Sequence, residues 1–315
     1  MRRANRIRNL SLPILLGGVA LAALELGRRA FRLTNLLRPE REPLISWNPQ
    51  DYGIPRERWE EIWFKSDDGE LLYGWYCRAK KPIASTLFCH GNRGNLTNTA
   101  AIIPHLLDGG INVFMFDYRG YGLSSGRPSL QGVVVDARTA ARIHDKIRPK
   151  HLPSILYGYS LGGAIAAQII GQHPFDGLIL QSTFTTLPAV TRVAFPRAPV
   201  HLISGRLFDT LRAVKKLDVP LLILHGGEDE VCPSWMAHAL YDACPASTKR
   251  IYVVEGGLHK DLFVRDSDTL VWAVNRFASE LPRETRALNG NPSAFERFLE
   301  TLRRHFRRAE AHEAL

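Results

Sequence analysis

Ser154-Ile155-Leu156-Tyr157-Gly158-Tyr159-Ser160-Leu161-Gly162-Gly163-Ala164-Ile165-Ala166-Ala167 is the stretch on which the fold turns. An apolar run suited to a buried strand ends in Gly158-Tyr159-Ser160-Leu161-Gly162, a GxSxG pattern, and passes directly into an Ala-rich helical stretch. Five residues of this pattern arise often by chance. A strand before it and a helix after it are the context that gives it meaning. The glycines have a steric purpose: a serine on a sharp strand-to-helix turn cannot have bulky neighbours, and Gly163 and Ala164 let the helix approach the sheet. The helix start also places partial positive charge where an anion would develop.

Working outward, apolar strand-like runs alternate with helical patterns. STLFCHG (85–91) precedes a helix near 98–108, and INVFMFDYRG (111–120) precedes one near 130–147. DGLILQST (176–183) leads into a longer irregular stretch. PLLILHGGED (220–229) precedes a helix near 233–243, and RIYVVEGGLH (250–259) one near 268–280. EIWFKS and LLYGWYCRA flank Asp67-Asp68-Gly69, a hairpin signal that adds antiparallel edge strands. Near-continuous apolar strands alternating with helices predict an α/β fold. Its mostly parallel sheet of about eight strands is covered by helices on both faces. Ligands of such sheets bind at the carboxyl ends of the strands.

The candidate chemistry falls at those ends. A serine is a poor nucleophile without a base. Of eleven histidines, His259 alone sits directly at the end of the last strand, C-terminal both to Ser160 and to a strand-end acid. Ser…Asp…His is the chain order expected for this fold. The acid that orients the imidazole is expected to be Asp229, in His225-Gly226-Gly227-Glu228-Asp229-Glu230, with Glu228 and Glu230 turned to solvent. Asp261, though near His259, lies past the strand end. In His90-Gly91-Asn92-Arg93-Gly94-Asn95 the glycines allow amides to turn inward. Acyl transfer needs two such donors for the oxyanion; the expected pair is the N–H groups of Asn92 and Leu161. His90 reads as a supporting residue. Arg119, in Phe116-Asp117-Tyr118-Arg119-Gly120, reads as part of a turn scaffold rather than as a clamp for a substrate carboxylate. No phosphate loop or metal-ligand spacing is present, so no metal or organic cofactor is implied.

The net charge of +10 is concentrated at the ends. Residues 1–41 carry nine Arg against two Glu, and residues 283–315 seven Arg against five Glu, which leaves the body nearly neutral. A nucleic-acid binder would more often carry its basic face on the folded body, so nucleic acid is not an expected partner. Residues 1–34 begin with four arginines before an apolar stretch from Leu10 to about Leu26. A single membrane anchor is expected there, with a cleaved signal peptide and export as the alternative. Residues 35–58, rich in Pro, Arg and Asn, read as a linker, and residues 59–282 as the catalytic domain. In the tail, 283–315, Phe295, Phe298, Leu299, Leu302 and Phe306 form one apolar stripe beside a basic face. That tail could lie on a membrane surface or dock on the body. The four cysteines form no CxxC pair and read as ordinary buried thiols, with a Cys77–Cys89 or Cys232–Cys244 bridge open if the protein is exported.

HGN after the strand at 85–89, DYRGYGLSSG, GYSLGG, HGGEDEVCP and GGLH occur in the order found in the α/β-hydrolase superfamily and cover roughly residues 60–280. More narrowly, the chain resembles membrane-anchored hydrolases of the serine-aminopeptidase-like, short-lid esterase group. Phe208-Asp209-Thr210-Leu211 matches a segment of that group that precedes the acid strand. The resemblance implies ester or thioester hydrolysis, including removal of acyl chains, and a small acyl ester or acylated molecule as substrate. Leu258-His259-Lys260-Asp261 departs from the Gly-His-Asn-Asp common among such relatives, without removing a triad member. Only residues 184–218 are available for a lid, enough for a helix or two. The rival readings are a serine aminopeptidase, which needs an acid for the substrate amine (Asp209 and Asp218 stand nearest), and an inactive membrane-associated scaffold of the same fold.

Overall fold

A computed structural model describes residues 36–196 and 208–282. The expected anchor and tail, and the middle of the expected lid, lie outside the described residues. The main sheet there has eight strands: β2 (Trp59–Lys65), β3 (Leu71–Cys77), β4 (Ala84–Cys89), β6 (Ile111–Phe116), β7 (Ser154–Tyr159), β8 (Gly177–Gln181), β9 (Leu221–Gly226) and β10 (Lys249–Val254). Their spatial order is β10-β9-β8-β7-β4-β6-β3-β2. The β2–β3 hairpin and the β3–β6 pair are antiparallel and all other neighbours parallel. This is the α/β architecture expected from the strand–helix alternation, and the order reverses beside β4. The hairpin turns at Asp67-Asp68-Gly69, where Gly69 supplies a φ of 98°.

The central strands are buried on both sides, so each contributes alternate residues to two cores. Leu87, Phe114 and Leu156 meet α2 (Leu130–Ile147), α3 (Leu161–Ile169) and α6 (Trp235–Ala243) on one face. Phe88, Met115 and Tyr157 meet α1 (Ile102–Asp108) and α8 (Ser267–Glu280) on the other. At about 1.5–3 kcal/mol for each large side chain, this burial fixes the strand ends that carry the site. The described residues also form the short helices α4 (Leu187–Ala194), α5 (Thr210–Val214) and α7 (Leu262–Arg265). The helix expected from 98 begins only at Ile102, because Asn95 caps a separate turn over Leu96–Asn98 and satisfies the Thr97 amide. All four cysteines are free and buried, and burial pushes the Cys89 thiol up to about 12.

The stretch 35–58, expected as a linker, is instead bound to the body from Leu37 onward. Leu37, Tyr52 and Ile54 are buried. A two-stranded parallel ribbon joins β1 (Arg38–Pro39) to β5 (Arg93–Gly94). Arg41 donates to the carbonyls of Gly122 and Ser124, and the Asn95 side chain donates to the carbonyls of Glu40 and Glu42. The polar composition that suggested a linker is used in hydrogen bonds to distant loops, and no local pattern reveals such bonds.

Candidate active site

Ser160 stands between β7 and α3 with φ 54° and ψ −119°, a conformation a non-glycine residue holds only under constraint from its surroundings. The constraint is visible. Its amide donates to Gln181 O at 2.9 Å, and its carbonyl accepts from Gly163 N at 3.0 Å and Thr183 Oγ1 at 2.7 Å. The glycines are required by close approach. A Cβ at Gly162 would sit 1.9 Å from the Cys89 carbonyl oxygen, and one at Gly158 would sit 2.4 Å from Gly163 Cα.

Ser160, His259 and Asp229, far apart in sequence, meet. Ser160 Oγ lies 2.9 Å from His259 Nε2, and His259 Nδ1 lies 2.8 Å and 3.0 Å from the two carboxylate oxygens of Asp229. All three are buried. Asp229 Oδ1 also accepts the amides of Val231 and Cys232 at 2.9 and 2.7 Å. The acid and base turns are joined to each other: Gly227 N donates to Val254 O, and Glu228 N to Gly257 O. His225 supports the same turn by donating from Nε2 to Cys232 O, and burial lowers its proton affinity. Glu228 and Glu230 are exposed, as expected. Asp261 does not reach His259. It accepts the Leu258 amide at 2.7 Å and so holds the loop that carries the imidazole.

Asn92 and Leu161, the expected oxyanion donors, border the same cavity as Ser160, which has a volume of about 120 Å3. Its remaining wall is mainly apolar: Leu36, Phe184, Val190, Ala194, Phe195 and Val231 line it with Thr191 and Cys232. Helix α4 supplies the lid side, started by Thr186, whose side chain accepts the Ala189 amide. The lid segment thus faces the serine through Val190, Thr191 and Ala194 rather than only packing on the body.

A family model described as serine aminopeptidase S33 matches residues 80–212 and 205–266. The chain belongs to that family of α/β-hydrolases. An uncharacterised protein of Mycobacterium tuberculosis is 32% identical over 225 residues, spanning 70% of this chain and 79% of that one. An uncharacterised membrane protein of Saccharomyces cerevisiae is 30% identical over 230 residues, 69% of this chain and 78% of that one. Among solved structures, an esterase of Pyrococcus furiosus superposes with a TM-score of 0.64 at 18% identity, covering 78% of this chain and 98% of that one; at that identity the likeness bears on the fold alone.

Several residues of this α/β-hydrolase site were not legible in advance. Tyr159, the first variable residue of GxSxG, donates from its hydroxyl to His259 O at 3.3 Å. Tyr121 donates to Asn92 O at 2.9 Å, and Leu36 reaches the cavity wall. Nothing local distinguishes these tyrosines from core ones. Arg119 has the scaffold role: its guanidinium pairs with Asp136 and Asp68 and points into no cavity beside Ser160. His90 is fully buried, its Nδ1 donating to Gly91 O at 2.9 Å, which places it beneath the expected oxyanion loop. Among the described residues, no group of three or more His, Cys, Asp or Glu side chains could hold a metal ion.

Proposed function

We propose that this hydrolase cleaves carboxylic ester or thioester bonds through a covalent acyl-enzyme. The observation that carries the reading is the 2.9 Å contact of Ser160 Oγ with His259 Nε2 at the floor of an apolar cavity. Ser160 Oγ attacks the acyl carbonyl carbon while its proton passes to His259 Nε2. Asp229 holds the imidazole in the required tautomer and stabilises its cation. The amides of Asn92 and Leu161 receive the oxyanion. The tetrahedral species collapses, the acyl–oxygen or acyl–sulfur bond breaks, and His259 returns the proton to the leaving group. Water, deprotonated by the same imidazole, then releases the acid.

The family description favours a second reading, a serine aminopeptidase. Such an enzyme needs a carboxylate for the substrate's free amine, and the described cavity wall has none. Asp209 caps α5 by accepting the Arg212 amide, and Asp218 is exposed. Comparing p-nitrophenyl esters of graded chain length with aminoacyl p-nitroanilides separates the two. The esters are expected to be turned over with at least about tenfold higher kcat/KM. Preference for the amides would remove the esterase reading.

A membrane location, by an anchor within residues 1–34, is part of the same proposal. Its support is the basic and apolar sequence and the description of the yeast relative as a membrane protein. Among the described residues no helix is long and apolar enough to cross a membrane. The full chain is expected to stay with the membrane pellet through alkaline carbonate washing. Release into the supernatant would count against an anchor.

A further inference from the structure

The residues that follow the N-terminal basic, apolar stretch do not simply lead to the fold. Leu36 lines the cavity beside Ser160, together with the lid residues Val190 and Phe195. Two residues on, the Arg38 amide donates to Asn92 O at 2.9 Å, and the Tyr121 hydroxyl donates to the same oxygen at 2.9 Å. Glu40 N donates to Gly94 O, and the Asn95 side chain returns a bond to Glu40 O.

The geometry of a trans peptide gives these contacts a purpose. No cis bond occurs among the described residues. In a trans peptide the carbonyl of one residue and the N–H of the next point in opposite directions. Holding Gly91 O against His90 Nδ1 therefore aims the Asn92 N–H the other way. That peptide lies against the nucleophile: a Cβ at Gly91 would be 3.6 Å from Ser160 Cβ. The peptide after it is held at Asn92 O by Arg38 and Tyr121. Both planes flanking Asn92 are pinned, one from inside the fold and the other by the strap's Arg38 amide together with the Tyr121 hydroxyl.

We propose that the strap Leu36–Arg41 is a working part of the active site. Leu36 is a specificity residue that limits the acyl chain. The Arg38 amide and the Tyr121 hydroxyl are positioning groups that keep the oxyanion-binding amide in aim. The inference rests on the acyl-hydrolase reading above and deepens it by naming what shapes the acyl site. It also makes the catalytic centre dependent on chain that a hydrolase domain bounded at residue 59 would omit.

The test uses the full chain. Leu36→Trp narrows the cavity and Leu36→Ala widens it. With p-nitrophenyl esters from acetate to dodecanoate, Leu36→Trp is expected to lose about tenfold in kcat/KM for the long esters relative to acetate, and Leu36→Ala to move the optimum toward longer chains. Tyr121→Phe removes one bond from Asn92 O. It is expected to weaken inhibition by an alkyl trifluoromethyl ketone, whose hydrate-like adduct carries the oxyanion, about tenfold. Inhibition by the matching methyl ketone should stay unchanged, an outcome that simple loosening of the fold would not produce. Thermal unfolding of each variant checks that the body is intact. Coincident chain-length profiles for both Leu36 variants and the parent overturn the specificity role. Equal weakening of both ketones, or of neither, overturns the positioning role. Failure of a fluorophosphonate to label Ser160 in the parent chain would instead bring down the hydrolase reading, and this inference with it.

Discussion

Ser160→Ala is expected to lower kcat for ester hydrolysis by about 10^4- to 10^6-fold and to abolish labelling by a fluorophosphonate. His259→Ala alone should cost about as much, and the double variant little more than either, because hydroxyl and imidazole act as one unit across a single 2.9 Å contact. Asp229→Asn should lose about 10^4-fold, since the amide would impose the wrong tautomer on His259. The fold should survive the serine change. The Ser160 side chain makes no capping bond to α3, and its strained backbone is held by bonds to its own amide and carbonyl rather than to its hydroxyl. Melting temperatures are therefore expected to stay within a few degrees of the parent. Ser160→Ala retaining turnover within tenfold of the parent would show that the nucleophile lies elsewhere.

The core of that site was readable in the sequence because each member sits where a strand ends and glycines mark the turn. Gly158 and Gly162 announce Ser160, Gly226 and Gly227 announce Asp229, and Gly256 and Gly257 announce His259. Gly158, Gly162, Gly226 and Gly257 stand where the backbone must come close, and Gly256 holds a φ of 64°. A Cβ at Gly226 would meet Gly257 O at 2.3 Å, which ties the acid turn to the base turn. Steric demand of this kind leaves a mark on residue type, so it can be read from sequence.

Side-chain bonds between distant loops leave no such mark. The Arg41 guanidinium on Gly122 and Ser124, or the Tyr121 hydroxyl on Asn92, could be replaced by many residue types without altering any local pattern. The same reason hid the strap within an apparent linker. The histidines show the contrast. His144, within α2, follows no strand end: it is buried, lies 3.0 Å from Ser85 Oγ, and burial pushes it down to about 3. His259 differs from it in following a strand end, and that position was visible.

Arg119→Met is expected to destabilise the protein by about 3–4 kcal/mol at neutral pH. Asp136 is fully buried, and its carboxylate is held by Arg119 Nη2 at 2.7 Å, by Nε, and by the Arg119 backbone amide at 2.8 Å. Burial works to raise the Asp136 carboxyl, and the Arg119 hydrogen bonds work to lower it. On balance the Asp136 carboxyl already lies above its ordinary value, and removing the guanidinium leaves the burial uncompensated, so in the variant it rises further. A carboxyl raised in this way costs stability once the pH exceeds its unfolded value, and the cost grows by about 1.4 kcal/mol per pH unit until the raised pKa is passed. The deficit of the variant should therefore shrink between pH 7.5 and pH 4.5. Asp68 contributes little to it. Arg119 depresses its carboxyl from 3.8 to about 2, so its stabilisation is present above the ordinary value and disappears only as the pH falls toward 2. Being half-exposed, that pair is also well screened. Urea titrations at the two pH values measure the difference. A deficit independent of pH would mean that packing of the Arg119 stem, not its charge, holds this turn. A loss of activity per folded molecule without loss of stability would instead favour the substrate-carboxylate clamp that the sequence reading set aside.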